Sequence, residues 1–192
     1  MPELDALVVA TEEESIEAMR GLASAYAPRL ESIVVRGGAT RQQSVRNALQ
    51  AVPERCNAVF VHDGARPLVS EVDVRAGMAA VRPGIGALLA SPVVDTVKVV
   101  PTGSRTVART LDRSELWAAQ TPQFAMLADL LAAHEAAERD GIDATDDVAL
   151  LEHLGLEVVV VKARSENFKV THAVDLEVVE AIMRERISRL DR

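Results

Sequence analysis

Aromatic side chains are scarce in this chain: Phe, Tyr and Trp together make up 3% of its 192 residues. A core must therefore be built from Val, Leu, Ala and Ile, a mix that suits strands buried on both faces by helices. There is one cysteine, Cys56, which excludes an internal disulfide and has no neighbours at a zinc-binding spacing. That usage fits a reducing, cytoplasmic setting. No apolar run approaches the roughly 20 residues of a membrane helix, and no basic segment precedes an apolar one at the N-terminus. Basic clusters are missing too: 29 acidic residues outnumber 21 basic ones, for a formal charge of -8, so neither a membrane nor nucleic acid is an expected partner.

What is there is a 48% hydrophobic chain long enough for one compact domain over 1–192. Residues 4–10 (LDALVVA) read as a strand, and Thr11 with Glu14 as a capping box opening a helix. Residues 32–35 give a second strand, ending at Gly37 and Gly38, and Thr40 with Gln43 caps a helix through SVRNALQAV. Residues 58–61 give a third strand ending in HDGARP, Ser70 caps a helix to Val81, and residues 86–90 make a fourth strand. Strands and helices alternate, which predicts an α/β fold with a doubly wound, mostly parallel sheet.

The alternation breaks between Pro92 and Pro122. There VVDTVKVV and TVARTLD flank Pro101, Thr102 and Gly103, which predicts a protruding β-hairpin at about 93–117. Helical periodicity returns over 125–139 and 146–154, the latter with Thr145 as N-cap and Gly155 as its stop. Residues 157–162 are almost pure valine and read as a strand inside the sheet. A helix over about 174–190 closes the chain.

In an open α/β sheet, ligands bind beyond the carboxyl ends of the strands. The exits here are RGGATR (36–41), HDGARP (62–67), SPVVDT (91–96) and NFKVT (167–171). Gly37 and Gly38 would let a ligand approach the backbone, although a tight turn needs them equally. Asp63 could hold a divalent cation or a sugar hydroxyl, or else pair with Arg66. Arg66 offers a planar fork for phosphate, against the commoner fate of a surface ion pair. Lys169, read at an apolar strand end, could set positive charge on a phosphate or guard an edge strand. His62 packs or orients its loop rather than serving as a base. Trp117 is a core or interface anchor, and Asp146 and Asp147 complement a helix dipole.

Together GGATRQQSV, VHDGARP, PVVDTVK, TLDRSELWAAQTPQF, ATDDVALLEHLG and NFKVTHAVDL resemble the 2-C-methyl-D-erythritol 4-phosphate cytidylyltransferases in order and approximate spacing. HDGARP departs from the family's HDAARP by a glycine for an alanine. The resemblance implies transfer of a cytidylyl group from CTP to methylerythritol phosphate, with a divalent metal such as Mg2+. By the same resemblance Gly37, Gly38 and Ser44 frame cytosine and ribose, and Asp63 faces metal and substrate. Arg66, Thr121, Thr145 and Lys169 hold methylerythritol phosphate. Thr96 and Arg113 belong to the hairpin, which in the family crosses to a second subunit, so a homodimer is implied. Lys169 and Arg113 are the residues expected to stabilise the charge that builds up when two anions meet.

One feature of the family is missing from the sequence. The family's first strand, its AAGxGxRM-like loop and its PKQ-like segment have no counterpart, and PELDALVVA aligns with the family's second strand. The first βα unit is thus expected to be absent and the 192-residue chain inactive on its own. Two other functions remain open at this point: a ribitol 5-phosphate cytidylyltransferase, which HDGARP resembles less than HDSVRP does, and a catalytically dead binding subunit.

Overall fold

The computed structural model describes Met1, residues 3–164 and residues 166–190. The chain divides into two compact units, the first made of residues 1–61, 78–87 and 123–159, the second of 62–77, 88–122 and 160–192. Strands β1 (Ala6–Thr11), β2 (Glu31–Arg36), β3 (Ala58–Val61), β4 (Ile85–Pro92), β5 (Lys98–Val99), β6 (Arg109–Thr110), β7 (Trp117–Met126) and β8 (Glu157–Lys162) are interleaved with helices α1 (Ile16–Tyr26), α2 (Arg41–Gln50), α3 (Glu71–Ala80), α4 (Leu127–Asp140), α5 (Asp147–His153) and α6 (Ala173–Leu190). The α/β alternation is as expected. Among the described residues no helix is long and apolar enough to cross a membrane.

Among the described residues the strands form three sheets rather than one mostly parallel sheet. β1 and β2 pair in parallel, four strands pair in the order β3-β7-β4-β8, and β5 pairs with β6 antiparallel. β7 lies antiparallel to β3 with Phe60 opposite Phe124, so the larger sheet is mixed. β8 follows β4 in the same direction, since Glu157 N donates to Gly84 O and Ala163 N to Ala90 O. It stands at the edge of the ladder, which corrects the expectation of an interior position. Four consecutive valines and a lysine suit either place, and an edge strand tolerates them when its outer backbone meets water.

In the first unit, Phe124, Leu130, Ala133, Ala137, Leu150 and Leu151 are fully buried. Gly86 belongs here because a Cβ on it would lie 2.5 Å from Leu151 Cδ1 and 3.2 Å from Phe124 O. In the second unit Leu68, Leu89, Ala90 and Val179 are buried, and Ser70 caps α3 by accepting from Asp73 N at 3.1 Å.

Local signals are mostly but not always obeyed. Thr40 caps α2, its side chain accepting from Gln43 N at 3.1 Å. Gln43 Oε1 in turn takes Ala39 N at 2.9 Å, one residue earlier than the reciprocal bond of a capping box. Thr11 does not cap a helix. It extends β1, a 3-10 turn (Glu13–Ser15) intervenes, and the N-cap of α1 is Ser15 without a side-chain bond. Thr145 is likewise displaced as N-cap by Asp146, whose carboxylate accepts from Ala149 N at 3.0 Å. A carboxylate there also meets the positive end of the helix dipole, which a hydroxyl cannot do.

Candidate active site

The second unit gathers the HDGARP loop, the middle of β7 and the segment after β8. Asp63 N donates to Thr121 Oγ1 at 2.9 Å, and the same hydroxyl lies 3.2 Å from His62 Nδ1. His62 Nε2 lies 3.0 Å from the Arg66 carbonyl. A carbonyl only accepts, so Nε2 carries the proton and Nδ1 accepts from Thr121. Burial lowers the His62 pKa below its ordinary value, which keeps this neutral tautomer at neutral pH. His62 is therefore a strut for the loop, as its place after an apolar run suggested.

Around that strut stand the charged groups. Lys169 Nζ is 3.3 Å from Asp63 Oδ2, with the lysine side chain 47% exposed and the aspartate 17%. Arg66 Nη1 donates to Asn167 O at 3.0 Å, while its Nε is buried and has no hydrogen-bond partner. Burial lowers the Arg66 pKa, opposed by the Asp63 carboxylate. A desolvated guanidinium with donor capacity to spare suits an anion that can accept from a planar fork. The residues predicted at 63, 66, 121 and 169 are thus brought together. Lys169 itself lies in irregular backbone rather than at a strand end.

The first unit holds the other predicted group. Gly37 N donates to Thr11 O at 2.7 Å, Gly38 N donates to Ser44 Oγ at 3.0 Å, and Ser44 Oγ donates to Thr40 O at 2.9 Å. A Cβ on Gly38 would fall 2.3 Å from Gln43 Cβ, so this turn admits no side chain. Thr145 is exposed on a segment tied to α2: Gln42 Nε2 donates to Ile142 O at 3.1 Å and Gln42 Oε1 accepts from Ala144 N at 3.0 Å.

Thr96 and Arg113 stay apart from both groups in their hydrogen bonding. Both are exposed on the arm, where Arg113 Nη1 donates to Val94 O at 2.8 Å. The arm is a hairpin closed by a turn in which Ser104 N donates to Pro101 O at 2.9 Å and Gly103 takes φ 78°, the left-handed value a type II turn requires at its third position. Trp117 is 43% exposed, so it is not a core residue.

Sequence reasoning passed over two buried polar centres. Gln123 Oε1 accepts from Asp147 N at 2.8 Å and Val148 N at 3.1 Å, and buried Asp147 pairs with Arg41 at 2.7 Å. Asn167 is 1% exposed and sends both amide hydrogens into β7, to Gln120 Oε1 at 2.9 Å and Thr121 O at 3.0 Å. Only its position two residues before Lys169 could have drawn notice. As for metal, no cluster of three or more His, Cys, Asp or Glu residues stands together among the described residues. Asp63 is a single carboxylate, the kind of donor set that Mg2+ accepts when substrate phosphates and water complete its shell.

Known proteins resemble this chain along most of its length. The family model for 2-C-methyl-D-erythritol 4-phosphate cytidylyltransferase matches residues 1–185. The chain is 40% identical over 183 residues to the cytidylyltransferase of that name from Halalkalibacterium halodurans, covering 95% of this chain and 79% of the relative. For the Acaryochloris marina protein of the same name the identity is 41% over 157 residues, covering 82% of this chain and 66% of the relative. The crystal structure of 4-diphosphocytidyl-2C-methyl-D-erythritol synthase from Anaerococcus prevotii superposes with a TM-score of 0.84 at 25% identity, covering 94% of this chain and 79% of that one. The Thermus thermophilus 2-C-methyl-D-erythritol 4-phosphate cytidylyltransferase gives 0.77 at 30% identity, covering 94% of this chain and 100% of that one. With a matching family model along nearly its whole length and relatives at this identity, the chain belongs to the 2-C-methyl-D-erythritol 4-phosphate cytidylyltransferase family.

Proposed function

We propose that this chain serves cytidylyl transfer from CTP to 2-C-methyl-D-erythritol 4-phosphate. A phosphate oxygen of methylerythritol phosphate attacks the α-phosphorus of CTP. The bond from that phosphorus to the bridging oxygen of the β-phosphate breaks, and pyrophosphate leaves with the electron pair. The observation that carries this reading is the cluster of Lys169, Asp63, Arg66 and Thr121, in which Lys169 pairs with the Asp63 carboxylate, the Thr121 hydroxyl accepts from the Asp63 backbone N–H, and the Arg66 guanidinium feels the same carboxylate. Two anions must meet in the reaction, and cations fixed in advance offset their repulsion without reorganising during the step.

Lys169 and Arg66 hold the methylerythritol phosphate, with Thr121 fixing the Asp63 backbone beside them, and by family resemblance Thr145 contributes to the same substrate. Gly37, Gly38 and Ser44 frame the cytidine, the bare backbone of the turn allowing close approach. Asp63 is the residue that would hold Mg2+, which when bound supplies charge neutralisation on the nucleotide phosphates. Thr96 and Arg113, carried on an arm that also exposes Val94, Val100, Val107 and Trp117, act in the site of a second copy in a homodimer. An apolar arm of this kind is suited to burial against a partner.

The test is pyrophosphate release with CTP and methylerythritol phosphate, in a version carrying the family's N-terminal strand and AAGxGxRM-like loop. Lys169→Ala is expected to lower kcat/KM by about 100-fold, the usual cost of removing one fixed electrostatic contact to developing charge. Unchanged kinetics would remove Lys169 from the site. No turnover by the unsubstituted loop-bearing protein would favour a binding subunit instead.

A further inference from the structure

Lys169 lies in a stretch with no regular secondary structure, between the end of β8 and the start of α6. Its position must therefore be set by individual contacts, and among the described residues these lie on both sides of it. Val170 N donates to Ala65 O at 2.8 Å, which ties the segment to the HDGARP loop. Asn167 ties it to β7 through both amide hydrogens. The Asn167 carbonyl also accepts from Arg66 Nη1 at 3.0 Å, and its own N–H donates to Arg164 O at 3.3 Å. One buried residue thus holds three things: the Thr121 backbone, the Arg66 guanidinium and the start of the Lys169 segment.

We infer that Asn167 is a positioning residue for the anion-binding pair Lys169 and Arg66, an inference that rests on the substrate reading above. Asparagine is suited to this place because two acceptors, Gln120 Oε1 and Thr121 O, face its amide nitrogen. Aspartate would present an oxygen to both, and a shorter residue would reach neither. Without the side-chain clamp the backbone from 167 to 169 loses its ties to β7 and keeps the bond at Val170 and the backbone bonds of residue 167 to Arg66 and Arg164. The ammonium of Lys169 then samples several places instead of one, and a misplacement of about 1 Å in a catalytic constellation is enough to cost on the order of 100-fold. Asn167 does not touch the substrate in this scheme. It acts through Lys169 and Arg66.

The experiment is a double-mutant cycle read by the affinity for methylerythritol phosphate, measured on the 192-residue chain by phosphorus NMR titration. Asn167→Ala is expected to weaken binding by about tenfold or more in the native background, but by less than about threefold when Lys169→Ala is already present, because the lysine it serves is gone. Thermal melts of each variant report whether the fold survives. Should Asn167→Ala unfold, Gln120→Met removes one acceptor of the same amide with little change of shape, and its smaller loss is expected to vanish in the Lys169→Ala background in the same way. Equal losses in both backgrounds, with either variant, would mean that Asn167 only supports the fold, and would overturn the inference. If the unsubstituted chain does not bind methylerythritol phosphate, or if Lys169→Ala binds it as well as the native chain, the substrate reading fails first and takes this inference with it.

Discussion

His134 is a buried side chain with an unmet need. It is 1% exposed, and neither ring nitrogen has a hydrogen-bond partner. Its Nε2 stands 3.9 Å from Asp147 Oδ1, beyond hydrogen-bond reach. Burial, helped by the Arg46 and Arg41 cations, pushes its pKa down to about 4. The unfolded chain therefore takes up a proton below its ordinary pKa of about 6.5 that the folded chain refuses. Stability is whole above pH 6.5, falls as the pH drops from there toward 4, and is level below, a loss on the order of 3 kcal/mol at most. His134→Leu removes both the slope and the two stranded nitrogens. Its melting temperature is expected to exceed the native value at pH 8 and to exceed it by more at pH 5; equal differences at the two pH values would overturn this account.

The same scale shows what could be read from sequence and what could not. Asp63 and Arg66 were legible as charged residues beside glycine at a strand exit, and Lys169 as a charge in an apolar stretch, although that stretch is irregular backbone rather than a strand end. Asn167 was not, because an asparagine in a loop is most often solvated. Its burial depends on residues 46 and 47 positions away in the chain, Thr121 and Gln120. His134 lies in LADLLAAHEAAERD, where alanine-rich periodicity does not say which face of the helix is inward.

At the scale of elements, helices were legible where a side chain meets its own turn, as at Thr40 and Ser70. β7 was not anticipated. Its sequence, WAAQTPQFAM, lacks β-branched alternation and contains Pro122, a residue that argues against a central strand because it cannot donate to the ladder. Tertiary pairing with β3 overrides that local signal. The arm was legible from its turn, though its ladder is short: Lys98 pairs with Thr110 and Val99 with Arg109. If the arm carries Arg113 into the site of a second copy, two defective proteins should complement each other. Mixing loop-bearing Arg113→Ala and Lys169→Ala proteins is expected to restore turnover, since some mixed dimers then hold one site with both residues. Mixed dimers shown to form without any gain would assign Arg113 to its own subunit or to no site.

At the scale of the molecule, the ladders leave two edges open. β1 pairs only with β2, and β3 only with β7, among the described residues of the first unit. Both strands are apolar, ALVVAT and AVFV, and every residue in them is half-buried rather than buried. Apolar strands of a parallel sheet are ordinarily covered and paired on both sides, so their open edges present N–H and C=O groups that must turn to water or to another chain. Backbone amides alternate in direction along a strand, so every second amide of β1 faces β2 and the rest face the open edge. The same holds for β3 against β7. Amide hydrogen exchange of the 192-residue chain is therefore expected to alternate between slow and fast along 6–11 and along 58–61. In a version extended by the family's N-terminal strand and loop, the fast amides of both strands should become slow together, because one inserted strand would pair with both edges. That joint protection should come with a higher melting temperature, since unpaired polar backbone near an apolar core is costly. Uniform slow exchange in the shorter chain would show that its edges are already paired. Protection of one strand without the other would show that the added strand does not lie between them.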